Sequence, residues 1–264
     1  MSRIDDLFEE LKEKHKKAFV AYITAGDPNL EKTKEFCRTL ASSGVDLIEL
    51  GVPFSDPLAD GPTNQAAAER ALASGTDLIK ILDTVKELRE SGFSTPIVLF
   101  SYLNPIFNMG YETFAKRCKL SGVDGVLVLD LPIEEAEAYT EVIHSQDLDT
   151  VFLAAPTTTS DRLSLISEKT KGFLYYVSRT GVTGAQATVS DTLESEVENL
   201  RGIVGKPIVI GFGISNPDQA KQVSQMGDGI VIGSALVKLI EKGSVSEATT
   251  DALSSFARGI SDVL

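Results

Sequence analysis

Glu49 is the residue in this sequence that most needs a chemical explanation. It stands inside Leu47-Ile48-Glu49-Leu50-Gly51-Val52, a continuous apolar run of the kind that forms a strand buried on both faces. Taking an ionised carboxylate out of water costs several kcal/mol unless it is paired or protonated. A salt bridge to a neighbouring Lys or Arg is the structural explanation. The next ten residues, Pro53 to Pro62, supply no basic partner and add two more acids, Asp56 and Asp60. Turn formation accounts for aspartates in such a loop. The chemical alternative is an acid–base pair. A desolvated carboxyl has a raised pKa and donates a proton, while a more solvated one stays ionised and accepts hydrogen bonds. Glu49 near a strand end and Asp60 on the adjoining loop are the catalytic candidates.

Three glycine-bearing turns form the second constellation: Ser178 through Gly184, Gly211-Phe212-Gly213-Ile214-Ser215, and Gly233-Ser234-Ala235. Glycine lets the backbone approach an oxyanion closely, and free N–H groups at a helix start favour negative charge. Neither a Walker motif nor a dinucleotide fingerprint is present, so a sugar or triose phosphate suits these turns better than a nucleotide. Tyr22, Phe100, Tyr102, Tyr175 and Phe212 cluster near strand ends. Each on its own reads as core packing; together they suit an apolar slot beside the phosphate. His15 and His144 lie off the strand ends, and no Cys/His spacing suggests a metal.

The elements that must position these residues follow from the apolar pattern. Eight runs read as parallel strands: Phe19–Thr24, Leu47–Val52, Ile97–Tyr102, Gly125–Asp130, Val151–Ala154, Phe173–Ser178, Ile208–Phe212 and Gly229–Gly233. Amphipathic segments alternate with them. Asn216-Pro217-Asp218 and Asp27-Pro28 read as helix starts, and Ser2-Arg3-Ile4-Asp5 reads as a capping box for a helix that would plug a barrel floor. Eight such units imply an α/β fold, a (β/α)8 TIM barrel with an extra N-terminal helix, occupying residues 1–264 as a single domain. An open doubly wound sheet is the alternative that periodicity does not separate. The connections from Pro53 to Pro62 and from Arg179 to about Ser190 exceed the usual length, and in a barrel both lie on the C-terminal face where active sites form.

Bulk properties narrow the function. The 264 residues carry a formal net charge of -13, which opposes non-specific attraction to nucleic acid or an anionic membrane. Solvated helix faces account for that acidity. Cys37 and Cys118 are the only cysteines, a pattern that suits a reduced compartment. The charged N-terminus lacks a signal-peptide core, and no apolar run approaches the roughly 20 residues needed to span a bilayer. These features imply a cytoplasmic protein.

Taken in order, seven segments resemble the tryptophan synthase alpha chain family over the whole chain: Tyr22–Pro28, Leu47–Pro62, Asn104–Phe107, Asp130–Pro132, Ser178–Gly184, Gly211–Ser215 and Gly233–Ala235. The stretch from Glu49 to Thr63 is the most specific. The resemblance implies retro-aldol cleavage of indole-3-glycerol phosphate to indole and glyceraldehyde 3-phosphate. It assigns Glu49 to protonation of indole C3 and removal of the glycerol hydroxyl proton, and Asp60 to the indole N–H. It places phosphate on Gly184, Gly213, Gly233 and Ser234, the indole slot on Tyr22, Phe100, Leu127, Tyr175 and Phe212, and a closing loop at Thr183. It further implies no cofactor and no metal in this chain, and an α2β2 heterotetramer with a tryptophan synthase beta chain that uses pyridoxal phosphate to join indole with serine. Indole would pass to that partner through a tunnel, and the Asp56 segment and the Asn104–Phe107 loop would face it. Asn64 departs from the aliphatic residue common at that place in the family. A non-catalytic binding subunit and a different sugar-phosphate isomerase or aldolase are the competing functions. The intact acids and glycine turns argue against the first. The absence of a strand-borne Lys argues against Schiff-base chemistry in the second.

Overall fold

The computed structural model describes residues 2–178, 192–211, 213–243 and 247–264. Eight parallel strands close into a barrel in chain order: β1 Ala18–Thr24, β2 Leu47–Gly51, β3 Ile97–Ser101, β4 Gly125–Val128, β5 Asp149–Ala154, β6 Leu174–Val177, β7 Ile208–Gly211 and β8 Gly229–Ile232. β1 pairs with both β2 and β8. That closed ring is the (β/α)8 barrel expected from the alternating pattern, and it rules out the open sheet.

Helices surround the ring. α1 Arg3–Glu13 precedes β1, and α2 Leu30–Ser42 follows it. Three connections carry two helices each: α3 Pro62–Ala73 and α4 Leu78–Glu90 after β2, α5 Leu103–Met109 and α6 Tyr111–Ser121 after β3, and α11 Ser234–Gly243 and α12 Glu247–Ser261 after β8. The remaining connections carry α7 Glu137–Ser145, α8 Ser160–Lys169, α9 Leu193–Arg201 and α10 Pro217–Ser224. Cys37 and Cys118 are buried and free on α2 and α6.

Strand alternation sorts side chains into two cores. Outward residues such as Ile48 and Leu50 pack with Phe36, Leu40 and Ile81 of the helices. Inward residues Val20, Leu47, Val98, Leu127, Val151 and Phe173 fill the barrel together with Ile4, Phe8 and Leu11 of α1. On β2 the inward set is therefore Leu47 and, two residues on, Glu49.

The N-terminal helix stoppers the floor of the barrel, as its amphipathic pattern suggests. Ser2 and Asp5 complete the capping box reciprocally. Arg3 pairs with Asp124 at 2.6 Å, and the Ser2 hydroxyl donates to Asp149, tying the helix to the starts of β4 and β5. At another expected helix start, Asn216 caps α10 with Pro217 in the first turn. Asp27 differs from expectation. Asn29, not Asp27, caps α2; Asp27 instead accepts two hydrogen bonds from Arg70 at 2.8 and 2.9 Å. Such a forked, buried contact outweighs a cap that a neighbouring asparagine already supplies.

Candidate active site

Glu49 lies at the middle of β2, with Tyr22 of β1 and Val98 of β3 as its register neighbours. It is 0% exposed. Neither carboxylate oxygen has a hydrogen-bond partner among the described residues. Burial pushes its pKa up from 4.5 to about 8, with no cation pulling against it. Among the described residues the salt-bridge explanation therefore finds no partner, and a carboxyl that keeps its proton at neutral pH remains.

Asp60 closes the loop that leaves β2. The Tyr102 hydroxyl donates to its Oδ2 at 2.9 Å, and Asn64 Nδ2 donates to its Oδ1 at 3.4 Å. The Asp60 carbonyl accepts from Gln65 Nε2 at 2.8 Å. Tyr102 in turn accepts from the Ala59 N–H at 2.9 Å. Burial raises the Asp60 pKa, and the Tyr102 and Asn64 hydrogen bonds pull it back down. The two acids thus meet different environments, one dry and unpartnered, the other half-buried and held by donors. This is the asymmetry that separates a proton donor from an ionised acceptor. The Arg70–Asp27 contact anchors the far end of α3, and the first turn of that helix carries Asn64 and Gln65. Asp56, by contrast, is exposed.

Aromatic walls stand beside Glu49. The Tyr22 and Phe100 rings meet edge to face, 4.9 Å between centroids, and the Tyr22 hydroxyl lies 3.2 Å from Thr24 Oγ1. A Cβ on Gly51 would sit 2.8 Å from Tyr22 Cε2, and one on Gly211 would sit 2.6 Å from Tyr175 Cε1. Both positions must be glycine for the tyrosines to lean over the barrel. Burial raises both phenol pKa values, and the charges of Asp60 and Glu49 act on each ring. Both phenols thus lie within reach of the charges of both acids. Leu127, the register partner of Phe100, is buried in the barrel interior.

Gly233 and Ser234 stand where β8 gives way to α11, with Ser234 exposed at the helix start. Gly213, with φ +71°, is exposed just beyond β7. Thr183, Gly184 and Phe212 lie outside the described residues, as does the connection that carries the first two. The structure therefore brings together Glu49, Asp60, Tyr22, Phe100 and Tyr175, and sets Gly213, Gly233 and Ser234 at the ends of neighbouring strands. Tyr102 was expected only as one of the aromatics of an apolar slot and Asn64 only as a departure from the family pattern; neither was expected to hold Asp60, as both do. Tyr102 at the end of an apolar strand carried the only signal in the sequence. Among the described residues no group of three His, Cys, Asp or Glu side chains is arranged to hold a metal. No described helix is long and apolar enough to cross a membrane.

Comparison with known proteins adds to this geometry. The family model described as tryptophan synthase alpha chain matches residues 8–263. A protein of that name from Geobacter sp. (strain M21) is 52% identical over 242 residues, covering 92% of this chain and 90% of the relative. The crystal structure of tryptophan synthase subunit alpha from Legionella pneumophila str. Paris superposes with a TM-score of 0.93 at 37% identity, covering 100% of this chain and 98% of the other. A chain from the tryptophan synthase α2β2 complex of Pyrococcus furiosus superposes with a TM-score of 0.86 at 39% identity, covering 92% and 97%.

Proposed function

The chain belongs to the tryptophan synthase alpha chain family, and on that premise we propose that Glu49 and Asp60 carry out its cleavage of indole-3-glycerol phosphate. Protonated Glu49 delivers its proton to C3 of the indole ring. The ring nitrogen becomes positive, and ionised Asp60 accepts its N–H and offsets the charge. The Glu49 carboxylate then takes the proton of the hydroxyl on the carbon attached to C3. The carbon–carbon bond breaks and its electron pair returns to the ring. Indole and glyceraldehyde 3-phosphate leave, and Glu49 is protonated again. The balance needs neither redox chemistry nor a cofactor in this chain.

The observation that carries this reading is the unpartnered, fully buried Glu49 carboxyl with a pKa near 8, since an acid–base group works best when its pKa is close to the operating pH. Tyr22, Phe100, Leu127, Tyr175 and Phe212 form the indole slot in this proposal. Gly184, Gly213, Gly233 and Ser234 take the phosphate, and Thr183 belongs to the closing loop. The partner is a beta chain that holds pyridoxal phosphate and consumes the indole in making L-tryptophan, in an assembly of the kind described for the Pyrococcus relative. Leu58 at 84% and Phe107 at 67% exposure support a docking face on the two segments that frame the mouth. We place the reaction in the cytoplasm, a reading supported by two unbridged cysteines.

Indole release from indole-3-glycerol phosphate, measured for the purified chain with and without a beta chain, tests the proposal. Turnover that rises with the partner and falls about 10²–10⁴-fold in Glu49→Gln is expected. Equal turnover by Glu49→Gln sinks the assigned role.

A further inference from the structure

Asn64 occupies the first turn of α3, its backbone N–H bonded to the Gly61 carbonyl at 3.0 Å. Its side chain has one partner, the Asp60 carboxylate. An ionised carboxylate only accepts, so the NH₂ end of the amide must face Asp60 and the carbonyl end must face elsewhere. That carbonyl oxygen is shut away from water with no hydrogen-bond partner among the described residues. Apart from Glu49, it is the only such side-chain oxygen among the described residues assigned here to the mouth. A buried acceptor left bare is costly unless something supplies a donor. The other oxygen of Asp60 is already occupied by Tyr102, so the surroundings of Asp60 are completed on one side by a phenol and on the other by an amide that still has an acceptor to offer.

We propose that Asn64 is a positioning and specificity-determining residue: its NH₂ fixes the Asp60 carboxylate, and its carbonyl oxygen shares the N–H of the bound ring with Asp60. The inference rests on the function proposed above. The substrate carries its hydroxyls on the glycerol chain between ring and phosphate. The ring N–H is therefore the donor that reaches a neighbour of Asp60. One N–H divided between two acceptors is an ordinary three-centre arrangement. A site built to take a donor rejects an analogue lacking it, because the bare acceptors stay unpaired. An aliphatic residue in this place would bring packing but no such discrimination.

The test uses the complex with its beta chain and two non-cleavable ligands, indole-propanol phosphate and its benzothiophene counterpart, in which sulfur replaces N–H. The wild type is expected to prefer the indole compound, and Asn64→Ile to lose about tenfold of that preference while binding the sulfur compound as before. The acid limb of kcat/KM is expected to move to higher pH in Asn64→Ile, because a donor to ionised Asp60 is gone. It should move further in Asn64→Asp, where a like charge replaces the donor. Tyr102 remains as the other donor, and Tyr22, Tyr175 and Glu49, the remaining titratable groups of the site whose charges interact, are common to all three proteins. An acid at this helix position favours the fold, so Asn64→Asp reports on the site. An unchanged ring preference in Asn64→Ile, or an acid limb that stays put in both variants, overturns the proposal. Analogue binding is read without turnover; a wild type that discriminates between the rings yet releases no indole would refute the proposed cleavage and not the role of Asn64.

Discussion

Among the described residues Glu49 meets the barrel interior with neither a cation nor a donor, and burial opposes its ionisation. The unfolded chain releases this proton near 4.5 and the folded chain near 8. Between those values the folded state holds a proton that the unfolded state has lost. Stability contributed by the neutral carboxyl is therefore complete below 4.5, declines as pH rises, and levels off above 8. By pH 7 the loss is on the order of 3 kcal/mol. Glu49→Gln has no proton to lose. Its melting temperature should overtake that of the wild type by several degrees between pH 5 and 8; thermal unfolding that shows a pH-independent gap would contradict the assigned pKa. The burial of Glu49 was legible in the sequence because it is an acid inside an apolar run; Asp60 drew attention only through its place on the adjoining loop, since turns favour aspartate. Tyr102 was read as a ring of the core or of the apolar slot, not as the partner of Asp60. Its bond to Asp60 depends on the heights at which β2 and β3 end, which only closure of the ring sets.

At the scale of elements, α1 is joined to the barrel through Ile4, fully buried against the inner core. A Cβ on Gly125 or Gly172 would come within 3.3 Å of this side chain, so little room exists for relaxation. Ile4→Ala should cost about 2–5 kcal/mol of stability, measured by denaturant unfolding. Cleavage should be unchanged at temperatures where both proteins are folded, because the floor takes no part in the chemistry; a loss of kcat in folded protein would contradict this. The strands were legible as apolar runs since both faces of each are covered, and the caps at Ser2 and Asn216 were legible because their partners lie within four residues. The role of Asp27 was not, because Arg70 reaches it from 43 residues along the chain. The pairing of helices after β2, β3 and β8 also escaped the reading, which counted one amphipathic stretch per strand.

At the scale of the molecule, an acidic chain of net charge -13 displays two large apolar side chains, Leu58 and Phe107, on the segments around its mouth. A double substitution, Leu58→Asp with Phe107→Asp, should weaken association with the beta chain about tenfold or more and leave the melting temperature of the free chain unaltered. Undiminished association in a titration would place the partner elsewhere. The stoppered floor gives that face its importance. With α1 packed into the floor among the described residues, substrate and both products are expected to pass the opposite rim. Whatever rests on that rim governs arrival, departure and dryness together, without touching either carboxyl group.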